Sequence, residues 1–159
     1  TMDRYLGALP WELPKDAEKM VVESVVDGDT VQLTEPDEDR WVPYRIIGIQ
    51  APEMDGPHTD EECYGPEAKA FLTELLPKGS EVNVQRDISD KDRNGRFLRH
   101  LFILDEEAGG AFLVSEILVI GGYARARSYP PDDLDGAILA EAHRNTHQQD
   151  KILSKSWFV

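Results

Sequence analysis

Two aspartates separated by a single glycine, Asp27 and Asp29, are the residues in this chain best suited to chemistry. They lie in the segment 26–31, Val-Asp-Gly-Asp-Thr-Val. Side chains alternate along a strand, so both carboxylates can project to the same side while Gly28 permits a tight backbone. Two like-charged oxygen ligands on one side suit a hard cation such as Ca²⁺. The segment is also typical of a plain β-hairpin turn, and the hexapeptide alone favours that interpretation over a metal site.

Composition limits the classes of protein that the 159 residues can form. A formal net charge of −14 is unusual for a protein that binds phosphates through Lys and Arg. A binding site, however, depends on local arrangement, and the bases are grouped, with Arg93, Arg96 and Arg99 in one group and Arg125 and Arg127 in another. No apolar run is long enough for a transmembrane helix. The single cysteine excludes an internal disulfide.

The elements that must position these residues follow from hydrophobic periodicity. Period-two patterns predict five strands, over residues 20–26, 30–33, 41–49, 81–87 and 97–104. Helical spacing of apolar residues predicts helices over 66–76, 113–120 and about 134–151, and a short extended piece spans 123–129. Residues 1–19 are predicted to be an irregular arm whose Leu6, Leu9 and Trp11 pack on a domain formed by residues 20–159.

This order of elements predicts an α+β fold that is mostly β. Three strands in succession, one helix inserted after the third, two more strands and then helices fit a five-stranded barrel of OB type with about three helices. A β-sandwich is less favoured because the helices are too many. We expect one domain, because the chain is long enough for a single core and too short for two.

Four short segments, in the same order along the chain, resemble the staphylococcal nuclease (thermonuclease) family. They are 26–31 (Val-Asp-Gly-Asp-Thr-Val), 44–53 (Tyr-Arg-Ile-Ile-Gly-Ile-Gln-Ala-Pro-Glu), 64–68 (Tyr-Gly-Pro-Glu-Ala) and 92–96 (Asp-Arg-Asn-Gly-Arg). The resemblance covers roughly residues 20–157. It implies an OB-fold barrel and Ca²⁺-dependent hydrolysis of phosphodiester bonds in DNA and RNA with little sequence specificity. It also implies an extracellular or cell-envelope location, with the cytoplasm left open, and we expect a monomer without a membrane partner.

The resemblance assigns the metal-binding positions. Asp29 would bind the ion directly with the main-chain carbonyl of Ala51, and Asp27 would support them from close by. At the third ligand position this chain has Gln50 where the family pattern has an aspartate. An amide oxygen can still bind Ca²⁺. Losing one negative charge opposite a divalent ion nevertheless weakens the attraction by an amount on the order of several kcal/mol.

The catalytic positions implied by the resemblance also suit the chemistry. Arg45 and Arg96 would neutralise charge that develops on the phosphorus centre, because a guanidinium group is permanently charged and matches phosphate oxygens. The alternative for each is a surface ion pair with one of the many acids. Glu53 is the predicted general base, or the residue that orients the water. Its alternative is an ordinary loop carboxylate.

Substrate contacts are predicted at Arg125, Arg127 and Tyr129. The two arginines share one face of the extended piece and could follow a phosphate backbone; a solvated edge strand is the alternative. Tyr129 corresponds to a nucleotide-contacting region of the family, and a packing role is equally open. His143 and His147 have the spacing of a zinc pair, but no Glu follows His143 and a third ligand is missing.

Two rival functions use the same fold. One is a module that binds nucleic acid or protein without cutting, and the other is a scaffold whose acidic surface recruits a basic partner. The presence of Arg45, Glu53 and Arg96 favours the nuclease, whereas Gln50 favours the rivals.

Overall fold

A computed structural model describes residues 4–52, 65–128, 130 and 132 of the chain. The strands are β1 (Glu18–Asp27), β2 (Thr30–Thr34), β3 (Trp41–Ile46), β4 (Ile49–Gln50), β5 (Glu81–Gln85), β6 (Phe97–Asp105), β7 (Gly110–Leu113) and β8 (Arg125–Ala126). The helices are α1 (Gly65–Leu75) and α2 (Val114–Ile120), with a short 3-10 helix at Glu106–Ala108. No helix within these ranges is long and apolar enough to cross a membrane.

Five of the strands close into a barrel, which confirms the predicted fold. The order is β3-β2-β1-β5-β6, and β6 closes the ring by pairing in parallel with β3. The other neighbouring pairs are antiparallel, as expected for strands joined by short turns. The third predicted helix, over about 134–151, lies outside the described residues.

The barrel interior is filled by alternate side chains of the strands and covered by the helices. Val31, Leu33 and Ile46 are fully buried in β2 and β3, and Leu72 of α1 is buried against the same core. The predicted stripe on α1 therefore faces the barrel, and α1 lies against β1. This packing matters for function because it fixes the β1–β2 turn, which carries the two aspartates.

Two element predictions were wrong. The third strand was predicted to run through residue 49, but it ends at Ile46, and the backbone turns at Gly48 with a φ of 91° before β4 begins. Only glycine adopts that conformation easily. The second helix was predicted to begin at residue 113, but Leu113 ends β7, which pairs with β6, and α2 begins at Val114. Phe112 also lies in β7, and its ring stacks on Tyr5 at 4.0 Å.

The N-terminal arm packs on the barrel through two of the three predicted residues, Leu6 and Trp11. Trp11 exchanges backbone hydrogen bonds with Ala111, and its ring meets Phe102 edge-on. Leu6 is partly buried against the core as expected. Leu9, however, is 75% exposed, and Tyr5 is buried instead.

Candidate active site

A cleft of about 440 Å³ opens where the β1–β2 turn, the end of β3, β4 and the turn before β6 meet. Six of the predicted site residues line it: Asp27, Asp29, Arg45, Gln50, Ala51 and Arg96. They come from four separate parts of the chain, and the closure of the barrel through β3 and β6 brings the last of them to the others. The grouping predicted from the motifs is therefore present in the fold.

The Asp27-Gly28-Asp29 segment is a hairpin turn, and both of its carboxylates also line the cleft. Asp27 pairs with Thr30 across the β1–β2 ladder. A Cβ placed on Gly28 would lie 2.8 Å from Cβ of Ala51 and 2.9 Å from Cβ of Ala68. Glycine is thus required because two other segments approach the turn at this point, bringing Ala51 against the aspartates.

Asp29 is buried and fully engaged. Its Oδ2 accepts a hydrogen bond from the Ala51 N–H at 3.1 Å and lies 3.3 Å from Nη2 of Arg45, while Oδ1 accepts one from Thr30 Oγ1 at 3.1 Å. Asp27 lies beside it and accepts a bond from the Asp29 N–H at 3.2 Å. Burial, together with the hydrogen bonding and negative charge of Asp29, raises the pKa of Asp27 to about 6.

Arg45 is not a surface residue. It is 9% exposed, its Nη1 donates to the Ile46 carbonyl at 2.6 Å, and its Nη2 donates to the Ile49 carbonyl at 2.8 Å. With Asp29 alongside, the guanidinium group is held by a charge and two carbonyl dipoles. Arg45 does form an ion pair, with Asp29, but the pair is buried and not on the surface, and Arg45 lines the cleft.

Arg96 is positioned by a residue that the sequence argument did not assign. Asp92 accepts hydrogen bonds from the Arg96 backbone N–H at 2.9 Å and from Nε at 2.7 Å. Nη1 of Arg96 donates to Thr30 Oγ1 at 3.1 Å, which links the turn to the Asp29 network. The signal for Asp92 was available, because an aspartate ahead of Asn-Gly is typical of a side chain that caps its own turn.

Gln50 lines the cleft, but its amide is engaged outside the carboxylate pair. Its Oε1 accepts a hydrogen bond from Nη1 of Arg127 at 3.3 Å, and its Nε2 donates to the Ala51 carbonyl at 3.4 Å. Arg125 pairs with Gln50 across the β4–β8 ladder. Neither arginine belongs to the described lining of the cleft, but both contact Gln50, which does, and we call this adjoining position the rim.

Some predicted residues lie outside the described part of the chain. These are Glu53, Tyr129 and the pair His143 and His147. Pro52, which precedes Glu53, lines the cleft.

Comparisons with known proteins give one consistent result. The family model described as "Staphylococcal nuclease homologue" matches residues 43–153. The chain is 30% identical over 132 residues to a protein named thermonuclease from Staphylococcus intermedius, covering 83% of this chain and 73% of that protein. It is 32% identical over 133 residues to a thermonuclease from Staphylococcus hyicus, covering 84% of this chain and 72% of that protein.

Proposed function

The chain belongs to the staphylococcal nuclease family, and on that basis we propose that it hydrolyses phosphodiester bonds of DNA and RNA with little sequence specificity. The observation that carries the proposal is the cleft itself. Arg45 and Arg96 are distant in the sequence, yet they line one cavity with Asp27 and Asp29. Phosphodiester cleavage needs fixed positive charge beside a site that can hold a cation and a water, and these four residues supply both.

The donor set fits a hard divalent cation such as Ca²⁺. It consists of oxygen atoms from Asp29, Asp27 and the Ala51 main chain, the ligand class that Ca²⁺ prefers. Burial, and after it the hydrogen bonding and negative charge of Asp29, raises the pKa of Asp27 to about 6, and a bound cation would favour the ionised form of this carboxyl group. When bound, such an ion withdraws charge from the phosphodiester and lowers the pKa of a coordinated water.

The same donor set implies weak binding. Within the described ranges, no three His, Cys, Asp or Glu side chains come together as a possible ligand group. The predicted third side-chain ligand, Gln50, is neutral, and its oxygen already accepts a hydrogen bond from Arg127. Affinity for Ca²⁺ rises with the number of charged ligands. We therefore infer an enzyme that needs a high concentration of the ion.

Arg45 and Arg96 are proposed to act on the phosphate in different ways. Arg45 is rigid, because its donors are bound to carbonyl groups and its charge lies beside Asp29. Arg96 keeps its Nε on Asp92 and Nη1 on Thr30, and Nη2 has no hydrogen-bond partner among the described residues. We infer that Arg96 delivers this nitrogen to an oxygen of the transition state. Glu53 keeps its predicted role of taking the proton from the attacking water.

A digestion assay tests the proposal. Plasmid DNA, denatured DNA and RNA are incubated with the protein in Ca²⁺, Mg²⁺, Mn²⁺ or EDTA. We expect cleavage of all three substrates with Ca²⁺ and none in EDTA. Asp29→Asn should abolish cleavage, whereas Asp37→Asn, an exposed control that removes the same charge outside the cleft, should not. If the protein binds DNA but cleaves it in none of the three ions, the nuclease hypothesis is wrong and the non-cutting binding module is favoured instead.

A further inference from the structure

The amide group of Gln50 is placed between the cleft and Arg127. We propose that Gln50 is a positioning residue, which holds the guanidinium group of Arg127 at the rim of the cleft to receive a substrate phosphate, and that it is not a ligand of the ion. This inference rests on the proposed function for its substrate. It assigns Gln50 a purpose that differs from that of the aspartate expected at this position.

Arg127 is fixed to Gln50 by backbone as well as side-chain contacts. Gln50 pairs with Arg125 and Ile49 with Ala126 in the β4–β8 ladder. Immediately after the ladder, the Arg127 N–H donates to the Gly48 carbonyl at 2.8 Å. The backbone of Arg127 is therefore fixed beside β4, and the 3.3 Å bond from Nη1 to Gln50 Oε1 orients the end of the side chain.

Holding the Arg127 side chain in place should favour substrate binding, because Arg127 is exposed. An exposed arginine samples many rotamers, and ordering it on binding costs affinity. A hydrogen bond that already selects one direction removes part of that cost. Because Gln50 lines the cleft, a guanidinium group that is hydrogen-bonded to its Oε1 lies next to the cleft, at the rim.

A neutral acceptor suits this task better than a carboxylate. An aspartate at position 50 would form an ion pair with Arg127 and would offset the charge that must attract a phosphate. The Gln50 amide orients the guanidinium group and leaves its charge uncompensated by that contact. The same amide directs its NH₂ group toward the Ala51 carbonyl, so its oxygen points to the rim, away from the predicted ion ligand.

The charges of the cleft show why an additional cation is needed. Among the described lining residues, four are aspartates and three are arginines. Two of those arginines, Arg45 and Arg96, are already paired with Asp29 and Asp92. A polyanion that approaches a chain of net charge −14 meets little free positive charge there. Arg127 places a further guanidinium group beside the cleft, and its contact there, Gln50, is not an acid.

The first measurement needs no nucleic acid. The ¹⁵N heteronuclear NOE of the Arg127 Nε–H reports whether its side chain is ordered. We expect a high value in the parent and a clear fall in Gln50→Ala. The matched control, Gln85→Ala, removes a glutamine that hydrogen-bonds to Asp16 and should leave the Arg127 value unchanged. An equal value in the parent and in Gln50→Ala would overturn the proposal.

The second measurement is the affinity for a fluorescent single-stranded DNA oligonucleotide in EDTA. Gln50→Ala and Arg127→Ala should each weaken binding by about fivefold, the loss of one modest contact. The double variant should be no weaker than Arg127→Ala, because the glutamine acts through the arginine. If the double variant instead shows the product of the two single losses of affinity, the two residues act independently and the proposal is overturned. Arg40→Ala, an exposed arginine in the β2–β3 turn, is the charge-matched control.

The third measurement separates this proposal from a ligand role. Calorimetric titration with Ca²⁺ alone should give the same Kd for the parent and Gln50→Ala, and a weaker Kd in the variant would overturn the proposal. If the parent neither cleaves nor binds DNA, the proposed function fails, and the substrate part of this inference fails with it. The NOE still shows in that case whether Gln50 holds Arg127.

Discussion

Replacing Arg45 or Arg96 with methionine should separate the structural role of each residue from the catalytic role that we propose for both. Arg45 and Asp29 have side chains only 10% and 9% exposed. Arg45→Met would leave the Asp29 carboxylate buried without its cation, and the carbonyls of Ile46 and Ile49 would each lose a donor. Arg96→Met is milder, because the Arg96 side chain is 28% exposed and Asp92 keeps bonds from the Asn94 and Arg96 backbone N–H groups.

The expected magnitudes differ enough to be measured. Removing one partner of a buried ion pair costs about 3 kcal/mol or more, because the remaining charge is uncompensated. In a domain of this size, a loss of about 3 kcal/mol lowers Tm by roughly 6 to 12 °C. The Arg96–Asp92 pair is only partly exposed and lies between the exposed and buried cases, but Asp92 keeps two backbone N–H donors, so Arg96→Met should lower Tm by about 4 °C or less, clearly less than Arg45→Met.

Thermal unfolding in EDTA and turnover on denatured DNA in saturating Ca²⁺ test both parts. Turnover should fall strongly in both variants, since each arginine is proposed to stabilise charge in the transition state. The Tm of Arg45→Lys should lie between those of the parent and Arg45→Met, because lysine keeps the positive charge but lacks the planar set of guanidinium N–H donors. Equal Tm values for the two methionine variants would refute the structural argument. Near-normal turnover in either variant would show that the replaced arginine has only a structural role, as the partner of an ion pair.

Three further predictions concern the turn, the pH dependence and the ion. Gly28→Ala should destabilise the fold by about 1 to 3 kcal/mol through overpacking, and Ala68→Gly in the same chain should recover part of the loss in a urea titration; no change would mean that the contacts relax freely. Burial raises the pKa of Asp92, but bonds from the Arg96 backbone and guanidinium group outweigh this and hold it below its usual value. The stability from Asp92 should therefore be present above about pH 4 and be lost as pH falls through the lowered pKa, so Asp92→Asn should flatten this acid limb of a Tm–pH curve. Removal of Ca²⁺ with EDTA should end cleavage reversibly; submicromolar Ca²⁺ binding by calorimetry would show that the ligand set is wrong.

The barrel could be predicted because its signals are local. Alternation along β2 and β5 and the helical stripe on α1 are each visible within one segment. β7 was missed because its four residues are apolar without alternation and continue directly into α2. What makes Phe112 a strand residue is its pairing with Ile103 of β6, a contact that no local pattern encodes.

Motifs could predict most of the residues that line the cleft, but they could not predict the environments of these residues. No local pattern indicates that Arg45 is buried against the carbonyls of its own strand end, since arginines are usually exposed. Nor could it pair Gln50 with Arg127, which are brought together only by the β4–β8 ladder. Asp29 and Arg127, the partners of Arg45 and Gln50, lie in distant segments, whereas Asp92, which holds Arg96, lies only four residues away and could be recognised locally.

The partners of the cleft arginines follow the position of each in the site. Arg45, the most buried of these, contacts a carboxylate and two carbonyls. Arg96, whose side chain is 28% exposed, contacts one carboxylate and a hydroxyl. Arg127 is exposed, and at the rim it contacts the neutral amide of Gln50. A buried charge needs full compensation to be stable, whereas an exposed one is compensated by water. Because Arg127 is exposed, water stabilises its charge, and we propose that this residue contacts the substrate first. Under this proposal, a polyanion would bind the guanidinium group of Arg127 and would then reach the more rigid groups of Arg96 and Arg45 inside the cleft.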